Sequence, residues 1–231
     1  MLDPATPSRS FEPPSRRSAA SGTENLPDLL LIERSRAGDE HAIEALIRRY
    51  GRRLYRVARS VIADEERAEA VVQEAYLAAF SDLTRYEPTG KFAAWLTRLA
   101  YQQARVQRAG ARFLGSSPAA EAPLSPEDSA ERRELEQLIG SLPEVFRTVF
   151  VLRVIEGVSG IETAACLGVH DTTVRTRLYR AQRRLTADNV RRVRNAPALL
   201  ELPAARLERL LQRVLAHLPQ GSAPTAATPP P

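Results

Sequence analysis

Residues 142–185 read LPEVFRTVFVLRVIEGVSGIETAACLGVHDTTVRTRLYRAQRRL, and this stretch decides the fold. Its first half is an apolar helix that breaks at Gly157-Val158-Ser159. Ser159 suits an N-cap, because its hydroxyl can accept one of the backbone N–H bonds that a helix start leaves open. A short helix follows, with Ile161, Ala164, Ala165 and Leu167 as its expected packing residues. Gly168 stands just past its end, where glycine takes a left-handed backbone most easily. Val169 plugs the turn, and His170 or Asp171 starts the next helix. There Val174, Leu178, Ala181 and Leu185 recur at helical spacing and face inward. Thr172, Arg175, Thr176, Tyr179, Arg180 and Arg183 fall on the opposite face, with Thr173 beside them. Arginine grips guanine edges with two hydrogen bonds, and Thr, Tyr and Arg reach phosphates. The unit reads as a DNA-binding helix-turn-helix. An ordinary helical hairpin with a solvated basic face has the same periodicity.

Composition agrees with an anionic partner. The chain has 231 residues and a formal net charge of +5, almost all of its positive charge being arginine; Lys91 is the single lysine. Net charge speaks to partners and not to fold. The one cysteine, Cys166, stands among apolar helical residues and reads as a core thiol in a reducing, cytoplasmic setting. No segment has the roughly 20 apolar residues of a membrane span, and no apolar signal core is expected at the N-terminus. The three histidines, His41, His170 and His217, are far apart, so no metal site is expected. With no phosphate-cradling glycine loop or triad pattern, neither a cofactor nor an enzymatic activity is expected.

Working outward, no strand alternation appears, and the expected class is all-α. Residues 1–25 are rich in Pro, Ser, Ala and Arg and read as a disordered tail. Residues 26–112 read as one small helical domain. Residues 113–128 read as a flexible linker, with a helix start at Ser125-Pro126. Residues 129–187 form a second domain containing the helix-turn-helix. Residues 188–231 are an extension with Arg191, Arg192 and Arg194, an amphipathic helix near 204–218 using Leu207, Leu210, Leu211, Val214 and Leu218, and a disordered end.

Two helices of the first domain carry candidate surfaces. One, over about 64–83, buries Ala68, Val71, Val72, Ala75, Tyr76, Ala79 and Phe80. Its other face shows Glu66, Glu69, Ala70, Gln73, Glu74 and Leu77, and a leucine among polar neighbours fits either a protein contact or a solvated face. The next helix begins near Lys91 and packs through Phe92, Trp95, Leu96, Leu99 and Ala100. Arg98, Tyr101, Arg105 and Arg108 line up at offsets of three and four. Basic groups interleaved with an aromatic suit single-stranded nucleic acid, although a solvated basic stripe has the same spacing. The loop 84–90, TRYEPTG, precedes this helix and is able to form a pocket.

Three segments of the first domain, RAGDEHAIEALIRRYGRRLYRVAR, AEAVVQEAYLAAFSDL and KFAAWLTRLA, closely resemble the first conserved domain of bacterial sigma factors of the extracytoplasmic-function (ECF) group. Residues 142–185 resemble the second conserved domain of that group. The resemblance implies that Glu69, Gln73, Glu74 and Leu77 dock on RNA polymerase core. It implies that Tyr86, Lys91, Trp95, Arg98, Tyr101, Gln102 and Arg105 capture and melt the minus-10 promoter element. It implies that Thr172, Thr173, Arg175, Thr176, Tyr179, Arg180 and Arg183 read the minus-35 element of promoter DNA. An anti-sigma factor is a further partner expected from the family. The chain departs from the family pattern at Ala70, Pro88, Gln102 and Val106.

Two other readings stay open on sequence. One is an operator-binding helix-turn-helix regulator, which accounts for residues 142–185 and leaves the first domain unexplained. The other is a sigma-like protein that acts through polymerase or protein contacts alone.

Overall fold

A computed structural model describes residue 23 and residues 25–83, 86, 91–113, 130–196 and 199–218, with side chains left aside at 111–113. The described residues are helical throughout, without strands. The expected disordered tails, most of the linker, the helix start at Ser125 and most of the loop 84–90 lie outside the described residues.

The first group of helices is α1 (Asp28–Arg36), α2 (Glu40–Val61), α3 (Glu65–Ser81) and α4 (Phe92–Phe113). Carboxylates begin two of them. Asp39 accepts the backbone N–H bonds of His41 and Ala42 at the start of α2, and Asp64 accepts that of Arg67 at the start of α3. Burial pushes the Asp39 carboxyl up, but the Arg34 hydrogen bond and the backbone donors outweigh it and leave its pKa below the usual value. The apolar faces of all four helices close on Leu46, Leu54, Tyr55, Val72, Tyr76 and Leu96, each at most 1 % exposed.

The second group is α5 (Ala130–Gly140), α6 (Glu144–Phe150), α7 (Gly160–Leu167), α8 (Asp171–Arg184) and α9 (Ala187–Asn195). Helix α6 runs into a π turn at Val151–Ile155. The chain then reverses at Gly157, whose φ is +63°, and the Val158 N–H bonds back to the Leu152 carbonyl at 2.9 Å. Ser159 caps α7 through the Glu162 N–H, and Gly168 ends it in the left-handed conformation, also at φ +63°. Both agree with the sequence. A last helix, α10 (Ala204–His217), lies across α2 and α3.

The sequence reads as two helical domains and leaves open how they meet; in the structure the larger core is continuous between the two groups. It contains Val149, Leu152, Val158, Ala164, Cys166, Leu167 and Val174 together with the apolar residues of α1 to α4. Helix α7 packs on α4. The stripe it buries is Thr163, Ala164, Cys166 and Leu167, whereas Ile161 and Ala165 are exposed. The expected packing role of those two residues is therefore corrected. The partner surface on α4 selects the narrow face that carries Thr163 and Cys166, and Ile161, the second residue of the helix, falls outside it at 78 % exposure.

Candidate nucleic-acid interface

Helix α8 presents the basic face that the periodicity requires. Val174, Ala181 and the flanking Leu185 are buried, and Leu178 is packed partly beneath them. Thr172, Arg175, Thr176, Tyr179, Arg180 and Arg183 are exposed, and Thr173 is half-buried. The face is pre-ordered from within. Arg175 pairs with Asp171 at 2.6 Å, and the Thr176 hydroxyl donates to the Thr172 carbonyl at 2.9 Å. The Arg183 guanidinium donates to the Tyr179 hydroxyl at 3.2 Å and lies 5.9 Å from its ring centroid. Asp171 also packs against the start of the first helix of the motif. A Cβ on Gly160, the first residue of α7, would come within 2.6 Å of the Asp171 Oδ1.

A second basic surface runs along the start of α4. Tyr86 packs against Phe92 and Trp95, with centroids 5.4 Å and 4.9 Å away, and Tyr50 meets Phe92 edge-on at 5.8 Å. Lys91 stands at the rim of this aromatic cluster and is exposed; Trp95 is half-buried. A cleft of roughly 470 Å³ opens here, lined by Asp28, Tyr50, Arg53, Tyr86, Lys91, Phe92 and Glu162 among others. Farther along α4, Arg98, Gln102 and Arg105 are exposed.

Two expected contact residues behave differently in this arrangement. Tyr86 is 7 % exposed and Tyr101 5 % exposed. Tyr101 lies with Ala100 and Ala104 on the core side of α4, and Arg105 covers its ring at 5.8 Å. The offset that aligns Tyr101 with Arg98 and Arg105 places it on the margin of the stripe, and its large ring turns inward to close the core. It is not free to stack on a base as folded.

On α3, Glu74 is exposed, and Gln73 and Leu77 are half-buried. Glu69, read above as part of the same open face, is 6 % exposed, because Arg206 of α10 lies on it with an N–O distance of 2.8 Å. Sequence spacing within α3 carries no trace of a partner 137 residues away.

With these surfaces in view, the comparison with known proteins is decisive. Residues 46–114 match the family described as Sigma-70 region 2, and residues 132–185 match Sigma-70, region 4. The RNA polymerase sigma-H factor of Pseudomonas aeruginosa is 30 % identical over 67 % of this chain and 90 % of its own length. The ECF RNA polymerase sigma-E factor of Escherichia coli K12 is 30 % identical, over 69 % of this chain and 93 % of its own length. A solved structure of CnrH in complex with the cytosolic domain of CnrY superposes with a TM-score of 0.53 at 30 % identity, covering 68 % of this chain and 93 % of that one. The chain is an ECF sigma factor.

As a sigma factor it is a transcription initiation factor: it works with RNA polymerase core and promoter DNA and directs initiation at specific promoters. No helix among its described residues is long and apolar enough to cross a membrane. The operator-binding reading is set aside, since it has no use for region 2.

What sequence reasoning missed in this sigma factor is the ionic knot between its two halves. Arg53 lies 3.2 Å from Glu162 and 3.5 Å from Glu156. Arg56 lies 2.6 Å from Glu156. Lys91 reaches Glu162 at 3.1 Å. Arg98 lies against the turn of the helix-turn-helix, where a Cβ on Gly168 would come within 3.3 Å of its Nη2. No spacing rule pairs residues about a hundred positions apart. The only available signal was a pair of acids, Glu156 just before and Glu162 within a motif that otherwise gathers mostly positive charge.

Proposed function

We propose a division of labour among the three surfaces. Helix α3 docks on polymerase core through Gln73, Glu74 and Leu77, with Glu69 joining once it is uncovered. The aromatic cleft and the start of α4 capture the melted minus-10 element through Lys91, Trp95, Arg98, Gln102 and Arg105, with the buried Tyr86 supporting Trp95 from beneath. Helix α8 reads the minus-35 element through Thr172, Thr173, Arg175, Thr176, Tyr179, Arg180 and Arg183. The domain limits that go with this are 26–112 and 129–187, joined by the linker 113–128. The observation that carries the reading is the coexistence, on one chain of the family, of an exposed basic face on α8 and an aromatic cleft rimmed by Lys91.

The mechanism is binding, without catalysis by this chain. Contacts to core fix the sigma factor on polymerase, and arginine contacts to phosphate and base edges hold the promoter in register. Stacking on aromatic rings stabilises unpaired bases by about 1–3 kcal/mol each, which offsets the cost of melting. The arrangement described here is a closed one. Lys91 pairs with Glu162 of α7 and Arg98 rests against the turn that follows it, so promoter capture exchanges these contacts for contacts to DNA. A protein partner that grips the closed form, an anti-sigma factor, belongs to the proposal; the CnrH structure, which contains a bound domain of CnrY, supports it. The cytoplasm, where polymerase works, is the proposed location.

Transcription in vitro from a fragmented library of the source genome, with purified core polymerase and with or without this chain, tests the reading. New discrete start sites sharing two spaced promoter elements are expected. Core binding without initiation would instead favour a sigma-like protein that acts through contacts alone.

A further inference from the structure

The segment 199–218 lies beyond the residues that match either sigma region. It nevertheless contributes to both cores. Leu199 and Leu200 belong to the smaller one, with Leu135 and Ile139 of α5. Leu202, Leu210, Leu211 and Val214 belong to the larger one. The segment is therefore a strap across the two halves. Arg56 Nε donates to the Leu199 carbonyl at 2.9 Å, and the Leu200 N–H donates to Glu136 at 3.0 Å. Between these anchors Leu200 sits at φ +50°, a left-handed conformation that leucine avoids and that only its surroundings maintain.

Past the strap, α10 settles on the start of α3. Arg206 Nη1 lies 3.0 Å from Glu65 and 2.8 Å from Glu69, and Arg213 stands 3.9 Å from Glu69. Arg48 of α2 reaches Glu208 at 2.8 Å. The fit is close. A Cβ on Gly51, in the middle of α2, would come within 2.8 Å of Leu207 Cδ1. Glycine is unfavourable inside a helix, and here it lets α10 approach. The ionic edge of the contact is open to solvent. The arginines at its edge stay partly exposed, at 28 % and 46 % of the side chain. A helix of 14 residues is marginal once detached.

We propose that α10 is a built-in restraint. It covers the start of the polymerase-docking helix, occupies Glu69, and through Leu199 and Leu200 ties the helix-turn-helix half to the first half. Core polymerase must lift it before the promoter is read. This inference rests on the assignment of α3 as the docking helix, and both are tested together.

The experiment uses the full-length chain. Hydrogen exchange is measured across α10 for the protein alone and bound to core polymerase. Affinity for core is measured for wild type, for the double variant Arg206→Glu/Arg213→Glu, and for Leu77→Glu. Charge reversal is expected to raise apparent core affinity about tenfold, by enlarging the uncovered fraction. The amides of α10 are expected to lose protection on core binding. Unchanged affinity with α10 still protected in the complex overturns the restraint and leaves docking intact. Wild-type affinity in Leu77→Glu overturns the docking assignment, and the restraint with it. Should the double variant fail to fold, exchange on the unaltered chain decides.

Discussion

Arg56 of α2 and Glu156, at the end of the π turn after α6, form an ion pair of 2.6 Å in which the side chains are only 7 % and 11 % exposed. The pair sits where the two halves meet, and the same guanidinium donates to the Leu199 carbonyl. A buried charge left without its partner costs more than the pair itself contributes. Arg56→Met should therefore destabilise the protein by about 3–5 kcal/mol, since Glu156 retains only the more distant Arg53. Adding Glu156→Gln to Arg56→Met removes the stranded charge and should recover part of that loss. Urea unfolding of the two variants checks the order; equal losses would show that packing, and not charge, governs the site.

Gly168 closes the helix-turn-helix at φ +63°, with Arg98 of α4 resting against it. Gly168→Ala meets two obstacles. A left-handed residue with a Cβ costs roughly 1–2 kcal/mol, and the guanidinium must shift by a few tenths of an ångström. Thermal unfolding should register a loss of about that size. Adding Arg98→Ala removes the steric part and leaves the backbone part, so the double variant should not lose a further increment at this contact. Strict additivity of the two losses would mean that Arg98 and Gly168 do not touch in solution.

Much of this was legible from local pattern. The Ser159 cap, the left-handed Gly168, the buried Val174 and Ala181 and the exposed arginines of α8 all follow from rules spanning a few residues. The apolar stripe of α3 does as well. What periodicity cannot deliver is the identity of the surface opposite. Ile161 is apolar and in phase, yet exposed, because α4 selects a neighbouring face of α7. Glu69 is polar and out of phase with the core, yet buried, because α10 supplies Arg206. Tyr101 stands at the margin of its stripe, where phase alone does not decide between core and solvent. The discrepancies at Ile161 and Glu69 arise where one helical group meets another or meets α10, and the sequence distance there exceeds any local rule.

The arginines of α8 distinguish base reading from phosphate grip. Arg175 and Arg180 are exposed, and the Arg175 pair with Asp171 holds its guanidinium near the helix start, the end that enters a major groove in this motif. Replacing either with Ala should weaken promoter binding by roughly 1–3 kcal/mol if it makes a bidentate base contact. Binding is measured on a promoter with an intact minus-35 element and on one with that element scrambled. A loss confined to the intact promoter assigns the residue to a base. An equal loss on both, with a shallower salt dependence, assigns it to phosphate.

Cys166 offers a probe of how firmly the halves are closed. It is fully buried between α7 and α4, and burial, reinforced by the Glu162 carboxylate, pushes its thiol up to about 11. The thiolate is the reactive form, so alkylation at pH 7.5 should be slow in the folded protein and should accelerate in urea. The sign of the linkage follows from the raised pKa. The neutral thiol stabilises the fold fully below the unfolded value near 9, and that contribution is lost as pH climbs towards 11, at no more than about 1.4 kcal/mol per pH unit. Relative to Cys166→Ala, wild type should lose stability over that interval and run parallel to it below pH 8. Rapid stoichiometric labelling of the native protein at neutral pH would mean that α7 lifts from α4 readily. In that case the closed arrangement would be only one member of a population in which Lys91 and Arg98 are already released from α7 and its turn.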